Sequence, residues 1–265
     1  MNVFTHDEYI KEQLRRVRRM QWLGLGAVFV SMVLAFVPSE HYLTIFLAYP
    51  FLLVGLPLWM AARSAQRRLA RSPSVDQALT DELKGLSVKY SLHHHPVVDG
   101  VVIPHLLIGP QGLVVMVTSD AAGPVTCTGG PKGDRWRSRS SLLDRLSGLN
   151  PPVGNPTREL DSAISAARKL LEDHGKPGVA VRGLIIFTRN PEVYLEECSY
   201  AAVPLNEVRQ AVKELLADMG SGSERERDEG VSLDVLLTSQ DRRRLNLLLK
   251  PPVSMPAPRA ASARR

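Results

Sequence analysis

Residues 103–117 read IPHLLIGPQGLVVMV. Two apolar runs flank a Gly109-Pro110-Gln111-Gly112 turn, and the second, LVVMVT at 113–118, is continuous, β-branched and free of charge. A half-buried strand alternates polar and apolar residues, whereas an unbroken apolar run of this length is expected in the middle of a sheet covered on both faces. The sheet is centred here. The run before the turn, 101–108, reads as a strand interrupted at Pro104, which cannot donate to a ladder. Asp99-Gly100 is a hairpin turn signal joining it to a strand at 88–95.

Working outward, residues 179–188 (VAVRGLIIFT) read as a second buried strand, 201–204 as a shorter one, and 125–128 and the surroundings of Trp136 as further short strands. Helical spacing of Leu79, Leu83 and Leu86 behind the cap Ser74 predicts a helix over 75–86, weakened at Gly85. Asn155-Pro156 opens a helix over 157–174, with Leu160, Ile164, Ala167 and Leu171 on one face and Gly175 as its stop. Helices at 205–219 and 238–249 follow. Residues 132–154 read as a polar, irregular excursion, 220–230 as a Gly/Ser linker, and 251–265 as a Pro/Ala/Arg tail with nothing to bury. The expected class is mixed α/β.

Two long apolar runs precede this domain. Residues 20–37 (MQWLGLGAVFVSMVLAFV) and 41–62 (HYLTIFLAYPFLLVGLPLWMAA) carry no charge, and each is long enough to cross about 30 Å of hydrocarbon as a helix. Only Pro38, Ser39 and Glu40 separate them, which predicts a transmembrane hairpin at 20–62, kinked at Pro50 and Pro57 as membrane helices tolerate. Trp22, Tyr42 and Trp59 stand where interfacial aromatics are expected. Lys11, Arg15, Arg16, Arg18 and Arg19 precede the hairpin, and Arg63, Arg67, Arg68 and Arg71 follow it. Basic flanks stay in the cytoplasm, so both termini are expected there. The eight arginines are candidate contacts for anionic headgroups. The expected organisation is a basic N-terminal segment (1–19), the hairpin, a basic juxtamembrane segment (63–73), a folded domain (74–219), the linker, a C-terminal helical segment (231–250) and the tail.

The length of 265 residues allows one to two domains, and 44% hydrophobic with 23% charged residues excludes a disordered or collagen-like chain. The net charge of +6 is misleading as a nucleic-acid signal. Residues 1–73 carry +5 and residues 251–265 carry +3, leaving −2 on residues 74–250. A domain that tracks phosphates carries a basic face, so nucleic acid is not the partner expected. Cys127 and Cys198 lie far apart in sequence and show no Cys-x-x-Cys or Cys/His spacing. Neither a zinc module nor a secreted disulfide framework is expected, and a reducing compartment is.

The run at 103–117, followed by Gly123, Trp136 and the Asn155-Pro156 helix start, resembles the nuclease-related domain (NERD) family over about residues 75–216. The most specific parts are the Ile-Gly-Pro-x-Gly turn at 108–112 feeding a hydrophobic strand, and the Asn-Pro start; the His-His pair before a Pro/Val/Asp/Gly loop also looks familial. The resemblance implies a restriction-endonuclease-like core, a mixed sheet flanked by helices. It also implies phosphodiester cleavage by carboxylates that hold Mg²⁺ and a lysine that activates water. In a Glu-x-Lys pair, positions i and i+2 point from one strand face. Laid residue by residue onto this chain, the family's Asp falls on Pro104, its Glu on Val117 and its Lys on Ser119. All three are lost. His105 is kept, Asp76 stands where a helix glutamate is usual, and Glu159 stands where Gln is usual. Asp99, explained by its turn, and Asp120, facing away from Ser119, are poor substitutes.

Other constellations have plainer readings. His93 and His95 would share a strand face with His94 on the other, and no Cys or acid stands at ligand spacing, so no metal or cofactor is expected. Lys132, Arg135, Arg137 and Arg139 around Trp136 form a basic loop diluted by Asp134 and Asp144. Arg242, Arg243 and Arg244 decorate a solvated face. The function expected is a membrane-anchored, catalytically degenerate domain that binds or scaffolds an unidentified protein, with the lipid bilayer as its other partner. No small-molecule substrate is evident. The alternatives are an active membrane-tethered nuclease and a structural subunit of a membrane complex.

Overall fold

In chain order, a computed structural model contains β1 (Asn2–Thr5), α1 (Asp7–Phe36), α2 (Leu43–Leu69), α3 (Val75–Leu83), β2 (Ser91–His94), β3 (Val97–Val98), β4 (Val101–Val102), β5 (His105–Ile108) and β6 (Gly112–Ser119). There follow β7 (Val125–Thr128), β8 (Arg135–Ser138), α4 (Pro156–Asp173), β9 (Ala180–Phe187), β10 (Val193–Glu196), β11 (Ala201–Pro204), α5 (Val208–Asp228) and α6 (Ser239–Leu248). The residues described are 1–36, 43–69, 73–131, 133–139, 152–189, 191–228 and 236–250. The turn at 38–40 with Tyr42, the side chains of Arg67 and Arg68, and Arg71, Lys132, Asp144 and the 251–265 tail lie outside what is described.

The class is mixed α/β. A six-stranded sheet runs β1-β2-β5-β6-β9-β11. Its middle is antiparallel from β2 through β6, and β6, β9 and β11 are parallel. The central strand β6 lacks polar alternation because both of its faces are covered. Leu113, Val115 and Val117 pack with Leu160, Ile164 and Leu171 of α4. Val114 and Met116 pack on the opposite face with Leu79 and Leu83 of α3 and Val212 and Leu216 of α5. The caps expected from sequence are present: Ser74 and Gln77 form a capping box on α3, and the Asn155 side chain accepts from the Arg158 amide on α4.

Four features depart from the sequence reading. Residues 2–5, placed by sequence in a basic N-terminal segment, form the edge strand β1, parallel to β2, and α1 begins at Asp7 rather than at residue 20. A short strand at 193–196 pairs with β7, so a separate three-stranded sheet, β10-β7-β8, covers part of the expected irregular excursion. The segment read as a linker from Gly220 is helical to Asp228; the strong helix preference of Glu and Arg over 224–227 outweighs the glycines. Finally, Cys127 in β7 and Cys198, two residues past β10, form a disulfide with Cα atoms 6.3 Å apart. The parallel β7-β10 pair brings together cysteines 71 residues apart, which no local spacing announces. The expectation of no disulfide framework is corrected accordingly; disulfides are features of oxidising environments, whereas the sequence pointed to a reducing one.

Among the described residues, one helix, Tyr9–Phe36, is long and apolar enough to cross a membrane. The neighbouring run is also helical, as α2, and includes Pro50 and Pro57. The helices meet closely: a Cβ on Gly24 would lie 2.6 Å from the Trp59 amide nitrogen, and one on Gly55 would lie 2.8 Å from Ala27 Cβ. Small residues at a crossing let backbones approach. Outward from this contact, Trp22, Phe29, Phe46 and Leu53 are 65–79% exposed. The α2 helix continues past Ala62, and Arg63 lies over the Trp59 ring, 5.1 Å from its centroid. Arg15, Arg16, Arg18 and Arg19 are all exposed on α1, with Arg16 paired to Glu12 at 2.7 Å.

Candidate functional site

The polar residues that fall together in this fold lie where the hairpin joins the sheet. The turn at Asp99-Gly100, with φ of +48° and +78°, closes the β3-β4 hairpin and pairs Val98 with Val101. The same register, carried back along the strands, sets His94 opposite His105. Their Nδ1 atoms are 2.8 Å apart. Residue 95 should then point to the opposite face, but His95 has φ +56°, which breaks the strand alternation. Its ring turns to 5.6 Å from the His105 ring. His93, expected to share a face with His95, instead stacks on Phe4 across the sheet and contacts Asn246 of α6 at 2.8 Å.

The expectation that no acid accompanies the histidines is corrected by α3. Asp76, in its first turn, places Oδ1 3.7 Å from His94 Nδ1 and 3.8 Å from His105 Nδ1, while Oδ2 is 3.3 Å from His95 Nε2. The far ring nitrogens are also engaged. Thr80 Oγ1 is 3.0 Å from His94 Nε2, and Thr118 Oγ1 is 3.4 Å from His105 Nε2. Both rings are buried, whereas Asp76 opens onto a cleft of about 580 Å³ lined by Thr5, Ile10, Thr80 and His94.

Burial disfavours the imidazolium, lowering the His94 pKa to about 4 and holding that of His105 well below the usual value. Both rings are therefore neutral at pH 7. Burial alone would raise the pKa of Asp76, but the hydrogen bond to His95 and the surrounding imidazoles outweigh it and keep the carboxyl below its ordinary value. The cluster offers one carboxylate oxygen and two imidazole nitrogens able to face one ion, but it contains no activated nucleophile. Sequence reasoning had each residue but not the assembly. Extending the Asp99-Gly100 register was the available signal for His94 and His105; Asp76 had none.

The remaining expected site residues scatter. Val117 is buried against α4, and Ser119, two residues on, belongs to the same side of β6; Thr118, which reaches His105, belongs to the other. Pro104 lies between β4 and β5, where its carbonyl accepts from the His95 amide at 2.9 Å. Asp99 pairs with Lys169 at 2.6 Å, and Asp120 is hydrogen-bonded by Thr188. Asp134, expected to dilute a basic loop, is buried and accepts from Thr157, the Ser199 amide and the Ser199 hydroxyl. Arg135, Arg137 and Arg139 are exposed, with Trp136 half-buried beside Phe187. Arg242 donates to the Lys89 carbonyl, and Arg243 and Arg244 are exposed. The chain matches no protein-family model, no curated protein and no solved structure.

Proposed function

We propose that this chain is a two-span membrane anchor carrying a catalytically degenerate, NERD-like domain that binds or scaffolds a protein on the cytoplasmic side. The pairing of β1 with β2 is the observation that supports it most. The whole hairpin lies between these strands in sequence, so the chain leaves the domain, traverses 7–69 and returns to the same domain. That requires an even number of crossings, and α1 with α2 supplies two. The outward aromatic and aliphatic side chains of both helices suit hydrocarbon, and the basic residues at both outer ends favour the cytoplasm for the domain. The exposed row of Lys11, Arg15 and Arg19, at helical spacing of four, suits anionic headgroups.

Reporter fusions after Met1 and after Arg265, in the full chain, are expected to place both ends in the cytoplasm. An external location for either end defeats the topology. The disulfide favours one second reading, in which the same two spans hold the domain in an oxidising compartment; both fusions would then report externally.

Degeneracy rests on Pro104, Val117 and Ser119. A proline, a buried valine and a serine can neither clamp Mg²⁺ nor supply the lysine charge, and losing the metal site removes Lewis-acid activation altogether. The full-length protein in detergent is expected not to cleave DNA or RNA with Mg²⁺ or Mn²⁺. Cleavage abolished by Asp99→Ala or Asp120→Ala would revive the nuclease reading.

A further inference from the structure

We infer that Asp76, His94 and His105 form a binding site for a single divalent transition-metal ion of the zinc type, built where the membrane hairpin joins the soluble sheet. The geometry is specific. The three facing atoms, Asp76 Oδ1, His94 Nδ1 and His105 Nδ1, form a triangle with sides of 2.8, 3.7 and 3.8 Å. Points on or just off its plane are equidistant from all three corners at about 2.0–2.1 Å, which matches zinc–imidazole and zinc–carboxylate bond lengths, and an ion off the plane keeps a fourth position. Every triangle has such points; what suits the ion is their distance, because wider spacing of the three donors would put it out of bonding reach.

The surroundings are those of a ligand set. A metal-bound imidazole holds its other ring N–H on an acceptor, which fixes the tautomer and aims the lone pair at the ion. Thr80 and Thr118 stand at the two Nε2 atoms, 3.0 and 3.4 Å away, where their hydroxyl oxygens can accept those N–H groups. With both N–H groups so directed, the two Nδ1 lone pairs would face each other at 2.8 Å, an arrangement that a shared cation relieves. His95 contacts Oδ2, the Asp76 oxygen that the ion does not use, and orients the carboxylate.

Two imidazoles and one carboxylate suit zinc and its neighbours rather than Mg²⁺ or Ca²⁺, which require oxygen ligands. Three protein ligands with the carboxylate at the cleft leave a fourth position to water or to a partner's donor group. The site is not the lost nuclease centre: it belongs to the α3 face of the sheet, and Val117 and Ser119 belong to the α4 face. Because α3 follows α2 in the chain, an ion here would tie that root of the anchor to the sheet through Asp76, His94 and His105.

The test uses the full-length protein in detergent, purified without a histidine tag, stripped with a chelator and titrated with Zn²⁺ and Co²⁺. Metal content per chain, the visible absorption of bound Co²⁺ and the thermal unfolding midpoint are read together. One ion per chain, a tetrahedral Co²⁺ spectrum and a Zn²⁺-dependent rise in midpoint are expected. Asp76→Asn, nearly the same shape, is expected to weaken apparent affinity at least tenfold, and His105→Ala to abolish stoichiometric binding. His174→Gln, at the C-cap of α4, should leave both unchanged. Should His105→Ala fail to fold, Asp76→Asn decides. Absence of bound ion in the wild type, or equal affinity in wild type and Asp76→Asn, overturns the assignment.

Discussion

The double variant Cys127→Ser/Cys198→Ser is expected to lower the stability of the sheet domain by about 4 kcal/mol, and its unfolding midpoint by about 10 °C. The bond joins residues 71 apart, and a cross-link closing a loop of that size removes about this much free energy of chain entropy from the unfolded state. Against a typical total of about 5–15 kcal/mol, it is a large share. The small sheet would not separate altogether, because Asp134 still accepts from Ser199 and Thr157, and Trp136 still donates to Thr157 at 2.8 Å. Thermal unfolding with and without reductant checks the effect. An unchanged midpoint in the variant would show that the bond does not constrain the unfolded chain. Thiol labelling of the protein in intact membranes adds the compartment: labelled cysteines place the domain on the reducing side, where it works at the lower stability.

Gly112→Ala is expected to destabilise the fold by about 4 kcal/mol. Gly112 has φ +147°, outside the range an L side chain adopts without strain, which costs on the order of 1–3 kcal/mol. A Cβ there would also lie 2.2 Å from the Ala180 carbonyl oxygen, where β6 pairs with β9. Backbone cannot swing away as a side chain can, so the two central strands must part, at a further cost of about 1–3 kcal/mol. Gly178→Ala, where an added Cβ meets nothing, is the control and should shift stability by less than about 1 kcal/mol. Chemical denaturation of the two variants in the same detergent measures the difference. Equal midpoints would show that the close approach is not a constraint. The Gly-Pro-Gln-Gly turn thus has a physical reason independent of any family: its second glycine lets the carbonyl of a neighbouring strand come near, and its first leaves room for the Tyr90 ring.

Local signals carried far in this chain. The unbroken apolar run at 113–118 located the central strand, because burial on both faces removes the need for alternation. Asn155-Pro156 and Gly175 bracketed α4, and Ser74 and Thr238 headed their helices, because caps satisfy amide groups within a turn of the backbone. Asp99-Gly100 located the hairpin turn, because left-handed backbone is cheap for those residues. The apolar runs at 20–37 and 41–62 located two helices, since uncharged stretches of that length have few other uses. Each of these inferences depends on residues within about twenty positions of one another.

What eluded the sequence lies across longer distances. The strand at 2–5 is four residues long and carries no turn signal; it exists because β2, about ninety residues later, offers it an open edge. Cys127 and Cys198 meet only because β10 lies parallel to β7. His94 and His105 meet through the hairpin register, His95 joins them through one left-handed residue, and Asp76 arrives on a helix that packs on the same face through Leu79 and Leu83. Composition, periodicity and caps specify which segments are strands and helices and which sides are apolar. Which segments become neighbours, and hence which donors converge on one point, is set by the pairing and packing of the whole sheet, an energy shared among residues far apart in the chain.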